Sequence, residues 1–192
     1  MDRKKIREYI ELLIYEIEGV EKPSDLREGL RDTSDRVGRM YTEIFDGYTQ
    51  DDSKLMKIFD KTNTEEEVII SRNIKFYSMC EHHMLPFFGT VDIAYLSSKK
   101  KIAGISKFAR IVDKFSKRLT IQEQMTNDIC KFIFESELKP QGVMVVVEGV
   151  HMCEVMRGVK KDGLSMITSS AMGKTLTDSK LRNEILLLLN RI

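Results

Sequence analysis

The sequence predicts an α+β fold with an antiparallel sheet. Three observations carry the expectation. Apolar residues recur at helical spacing near the N-terminus and again in two central stretches, which marks amphipathic helices. Apolar and polar residues alternate over 90–98, and a valine-rich run follows from 143, which marks strands. The resulting order of helix, strand, strand, helix, helix, strand, strand, helix belongs to α+β proteins.

Each element has its own signal. Ile6, Ile10, Leu13, Ile14 and Ile17 form the stripe of a first helix, which Gly19 and Pro23 end. A second helix is expected from about Asp35 to Phe45, with Thr33 and Ser34 as capping candidates, and a short one over 53–59. Residues 1–60 are therefore expected to form a helical arm, and 61–192 the main domain. The stretch 65–80 is rich in strand formers. At 90–98, Val91, Ile93 and Tyr95 share one face and Thr90, Asp92 and Ala94 the other. Phe108, Ile111, Val112 and Phe115 stripe a third helix, and Met125, Ile129, Phe132 and Ile133 a fourth. A turn at 139–142 leads into one long strand over 143–159, then a shorter strand near 166–172 and a last helix over 180–190. About four strands leave edges that a soluble protein must cover or pair, so self-association is expected.

Composition narrows the function classes. The 192 residues suffice for one good core, and 31 basic against 30 acidic residues give a net charge of +1. A general binder of nucleic acid or membrane surface would carry a clearer positive excess, so neither partner is expected. Three cysteines, an odd number, argue against a disulfide framework and for a reducing compartment. The N-terminal apolar residues are interrupted by charges and the longest apolar runs are too short to span a bilayer, so a cytoplasmic location is expected.

The soft metal ligands are concentrated. Cys80 and His83 stand as C-x2-H beside His82, and His151 and Cys153 are one residue apart on the expected strand, so that both face one side. Two outcomes stay open on spacing: a closed Cys2His2 structural site, or three ligands with an open position and histidines left for proton transfer. Cys130, on a helix without a nearby histidine, reads as a core residue. Ser106, Lys107 and Arg110 cluster at a helix start and would suit phosphate, although on this stretch alone an ordinary cap with solvated cations is the favoured reading. Unbroken strand parity from His151 would bring Arg157 to the same face. Thr120-x-x-Glu123 reads as a capping box.

Taken together, "FYSMCEHHMLPFFG", "GISKFARIVDKFSKRL", "IQEQMT", "GVMVVVEGVHMCEVMRGV" and "TSSAMG", in this order, resemble the GTP cyclohydrolase I family over roughly 34–173. The resemblance implies a tunnelling fold, in which antiparallel sheets backed by helices join into a barrel, with two pentameric rings making a homodecamer. It implies one zinc ion per subunit on Cys80, His83 and Cys153, with His82 and His151 moving protons. It assigns Glu123 and, less directly, Gln122 to the guanine base, overriding the capping-box reading. Ser106, Lys107, Arg110 and Arg157 would bind the triphosphate, with Arg36 as a further contact. The implied reaction is hydrolytic opening of the imidazole ring of GTP, with release of formate and formation of 7,8-dihydroneopterin triphosphate. Gln124 departs from the family pattern, which commonly has arginine there, and so do Met79 and the stretch around Leu164 and Ser165.

Overall fold

The computed structural model describes residues 1–62, 65–98 and 100–190. The chain forms two compact units, Met1–Asp46 and Gly47–Ile192.

In the first unit, α1 (Arg3–Glu18) starts where the Asp2 carboxylate accepts the N–H groups of Lys4 and Lys5, and stops at Gly19, whose φ of 67° is left-handed. Helix α2 (Thr33–Ile44) begins two residues earlier than expected. Thr33 and Ser34 are inside its first turn rather than capping it, because 3-10 turns at Pro23–Asp25 and Glu28–Leu30 lead the chain directly into the helix. Arg3 pairs with Asp35 at 2.8 Å, tying α1 to α2.

The second unit corrects the expectation of a helix over 53–59. Asp52–Lys54 is one 3-10 turn, capped by the Asp51 side chain, and Ile58–Asp60 is a strand, β1. A seven-residue helix gains few internal hydrogen bonds, whereas Ile58 and Phe59 suit a strand and pair with β4 (Lys101–Ala103). The main sheet has the order β5-β2-β3-β6-β7, comprising β2 (Val68–Cys80), β3 (Pro86–Leu96), β5 (Leu119–Thr120), β6 (Gly142–His151) and β7 (Met166–Gly173). All pairings are antiparallel except β2 with β5.

Side-chain alternation sorts this sheet into two faces. Phe76, Val91, Ile93, Tyr95, Val143, Val145 and Val147 are buried in the main core with Phe108, Ile111 and Val112 of α3 (Ser106–Ser116) and Met125, Ile129 and Ile133 of α4 (Gln122–Glu135). Cys130 is fully buried there, as expected, its thiol donating to the carbonyls of Val143 and Ser170. The other face meets α7 (Ser179–Leu189), which follows the short α6 (Lys174–Thr177), through Ala94, Met144, Ile185 and Leu189. An antiparallel sheet backed by helices is the α+β arrangement the sequence predicts. Gly89 and Gly149 face each other across β3 and β6, and a Cβ at Gly89 would lie 1.9 Å from the Glu148 carbonyl oxygen.

The long strand expected over 143–159 ends at His151. The next four residues, Met152–Val155, form a helical turn, α5. Strand parity therefore does not continue to Cys153 and Arg157. Among the described residues no helix is long and apolar enough to cross a membrane.

Candidate metal centre and active site

Cys80, at the end of β2, shares its strand parity with Phe76, and His151, at the end of β6, shares its parity with Val147. Both therefore lie on the face covered by α3 and α4. The segment after Cys80 folds back tightly: Met84 N–H donates to Cys80 O at 2.8 Å, Cys80 N–H donates to Leu85 O at 2.9 Å, and Met84 takes a left-handed φ of 51°. The parallel β2–β5 pairing sets Cys80 opposite Thr120, and Glu81 N–H donates to Thr120 O at 3.2 Å. The ligand turn is thus stitched to the entry of α4.

This folding gathers Cys80, His83 and Cys153. Their potential ligand atoms all lie within 4.8 Å of one another, and Cys80 Sγ is 3.9 Å from His83 Nδ1. Tetrahedral zinc holds thiolate and imidazole donors about 3.5–4 Å apart, so the donor set fits that ion in both chemistry and spacing. Cys153 reaches the group from α5 and not from a strand. Its thiol pKa is pushed up, mainly by burial and also by the adjacent Cys80. Two thiolates packed this closely require a cation, and coordination deprotonates such thiols.

The other two histidines occupy different surroundings. His82 is exposed on the turn, its ring 6.2 Å from that of His83 and nearly perpendicular to it. His151 is half-buried. Its ring stacks on Phe87, its cross-strand neighbour, with centroids 4.5 Å apart and planes within 6°. Its Nε2 lies 2.9 Å from Gln122 Oε1. Burial holds the His151 pKa below the ordinary imidazole value, while the carboxylates of Glu154 and Glu123 pull it the other way. A neutral imidazole at neutral pH is the result, able to accept a proton.

Glu123 lies in the first turn of α4, with its side chain exposed. The capping box read from Thr120 is not formed. The N-cap is Ile121 without a side-chain bond, and Thr120 Oγ1 donates to Ile121 O instead, because the Thr120 backbone is engaged beside Cys80. Gln122 is wholly buried, its amide donating to Val147 O, Met166 O and Thr168 Oγ1. Gln124 is exposed and donates to Asp128 at 2.6 Å.

The cations expected to bind phosphate are placed elsewhere. Ser106, Lys107 and Arg110 lie in the first half of α3, whereas its C-terminal end leads into β5 beside Cys80. Eleven residues of helix span about 16 Å. Ser106 and Arg110 are exposed, and Lys107 Nζ donates to Lys54 O at 3.2 Å. Arg157 is exposed beyond α5, and the parity that would have aligned it with His151 is lost. Arg36 belongs to the first unit, where its guanidinium donates to Gly29 O and Thr33 Oγ1. Within one chain the fold therefore assembles Cys80, His83, Cys153, His151, Gln122 and Glu123, and keeps the α3 cations apart from the ligand turn. Phe87, Gly149 and Thr168 complete the surroundings of His151 and Gln122. Of these, Phe87 was discoverable by extending the Val91 alternation back along the strand.

Comparison with known proteins places the chain in a family. Residues 9–190 match the family model described as GTP cyclohydrolase I. GTP cyclohydrolase 1 of Caldanaerobacter subterraneus subsp. tengcongensis is 45% identical over 99% of this chain and 98% of its own length. The protein of the same name from Carboxydothermus hydrogenoformans is 43% identical over 98% of this chain and 95% of its own. That of Listeria monocytogenes is 43% identical over 98% and 97%. A family model spanning nearly the whole chain and relatives aligned almost end to end lead to one conclusion: the chain belongs to the GTP cyclohydrolase I family.

Proposed function

We propose that the chain hydrolytically opens the imidazole ring of GTP, releases C8 as formate and yields 7,8-dihydroneopterin triphosphate. The observation that carries this reading is the convergence of Cys80, His83 and Cys153 with His151 and the first turn of α4 at one end of the sheet. The trio would hold one zinc ion. Bound zinc supplies Lewis acidity that lets water ionise near neutral pH.

The remaining steps belong to the chain's own side chains. Glu123 accepts from the N1–H and exocyclic amine of guanine, a donor pair that adenine lacks, so GTP is selected over ATP. His82 and His151 move protons at the purine ring as its bonds break, His151 entering the cycle neutral. Ser106, Lys107, Arg110 and Arg157 bind the triphosphate, with Arg36 as a further contact. The position of Ser106, Lys107 and Arg110 at the far end of α3 from the ligand turn supports a site completed between subunits, in an assembly of two pentameric rings whose sheets join into barrels. On this reading 1–60 serve as an arm to a catalytic domain over 61–192, and the enzyme works in the cytoplasm.

The test is incubation of zinc-loaded protein with GTP, following formate and pterin absorbance, with ATP in a parallel reaction. Formate and pterin from GTP, with little product from ATP, is the expected result. Tight GTP binding without either product would sink the enzymatic reading, and equal turnover of ATP would remove Glu123 from base selection.

A further inference from the structure

We infer that Gln122 is a positioning residue: it locks His151 in a single tautomer and ring orientation, and Gly149 is glycine to make room for it. The inference rests on the proposed proton-transfer role of His151, and it assigns Gln122 to that histidine instead of to the substrate.

The hydrogen-bond directions follow from one another. Gln122 has no exposed surface, and Val147 O, Met166 O and Thr168 Oγ1 surround its amide nitrogen at 3.2, 2.9 and 3.1 Å. Two of these are carbonyl oxygens, which accept and never donate. Turning the amide over would set the glutamine oxygen against them, leaving buried acceptors facing an acceptor. The third partner obeys the same order. Thr126 Oγ1 donates to Gln122 O at 2.6 Å, so in its 2.6 Å contact with Thr168 Oγ1 it must accept. Thr168 has thereby used its proton and accepts from the Gln122 amide. Gln122 Oε1 is left facing His151 Nε2, and at 2.9 Å it receives the Nε2 proton. The ring thus carries a hydrogen on Nε2, and Nδ1 is the nitrogen left for exchange with a substrate.

Two further features hold the geometry. Stacking on Phe87, parallel within 6°, fixes the plane of the ring. A Cβ at Gly149 would fall 2.5 Å from Gln122 Oε1 and 3.4 Å from the Phe76 ring, so any side chain there displaces the oxygen from His151.

The experiment uses full-length, zinc-loaded protein labelled with imidazole-15N histidine. With three histidines in the chain, nitrogen NMR can resolve each ring, and His151→Ala identifies the one of interest. Gln122→Met and Gly149→Ala are compared with wild type. Wild type should show His151 protonated on Nε2 and bare on Nδ1, whereas both variants should show mixed tautomers. For each, kcat for GTP should fall roughly 10- to 100-fold, with KM changed less than about threefold, as expected for a misplaced catalytic group. Gly149→Ala removes no atom of Gln122 and pushes its Oε1 away from His151, so the amide donor stays available to the buried carbonyls while the bond to the histidine is lost. A wild-type ring protonated on Nδ1, or variants that keep both the tautomer and kcat, would overturn the inference. Wild-type turnover by His151→Ala would remove the catalytic consequence and the proton-transfer role together, with the NMR spectra still judging the lock itself.

Discussion

The two ends of α3 differ in how much of their work is done before any ligand arrives. At the C-terminal end, Cys80, His83 and Cys153 already lie within 4.8 Å of one another, and His151 is held by stacking and a 2.9 Å hydrogen bond. At the N-terminal end, Ser106 and Arg110 are exposed and Lys107 rests on a backbone carbonyl. Bond-making groups need ångström-level placement, which a fold can supply only through packing. A phosphate is a large, diffuse anion that mobile cations can close upon, and the cost of ordering them falls on binding rather than on folding. Within one chain, rigid and adaptable contributions to the proposed chemistry thus sit at opposite ends of a single helix.

This contrast can be broken from either side. The largest effect is expected from Cys153→Ala, which should abolish stoichiometric zinc binding and reduce formate release to background, checked by elemental analysis beside the activity assay. Next, His82→Ala should keep its zinc and lose about 100-fold in kcat. Unchanged turnover would make His82 a bystander on the ligand turn. At the adaptable end, Arg110→Ala should raise KM for GTP roughly 10-fold with kcat nearly constant, and added salt should narrow the gap from wild type. A fall in kcat as large as that of His82→Ala would contradict the division. The smallest effect is expected from Lys107→Ala, about threefold in KM, because phosphate must compete with the Lys54 carbonyl for the same ammonium. Steady-state kinetics at two salt concentrations measures both.

Much of this was legible in the sequence. The stripes of α3 and α4 follow the helical period over three turns or more, and the ligand trio is marked by clustering of the chain's few cysteines and histidines. The misreadings share a physical cause: elements too short to carry a period. One helical turn at Met152–Val155 leaves the strand-like pattern after His151 undisturbed, so the sequence suggested parity that the backbone breaks. The three-residue β1 exists through its pairing with β4, which local propensity cannot report. Thr120 carries a sound local capping signal, but β2 recruits its backbone first. The burial of Gln122 was hidden for another reason. A polar residue in the first turn of a helix ordinarily points to water, and its burial is made possible by the missing side chain of Gly149 on a distant strand.

The close approach at Gly89 has a consequence for mutational tolerance. Its backbone φ is ordinary, so alanine is conformationally permitted, yet even one methyl group would collide with the backbone of β6. In a saturation library selected for folding, position 89 should therefore reject alanine and serine nearly as completely as bulky residues, while exposed Tyr77 on the next strand accepts many replacements. Sequence drift in this part of the sheet is limited most tightly where there is no side chain to recognise.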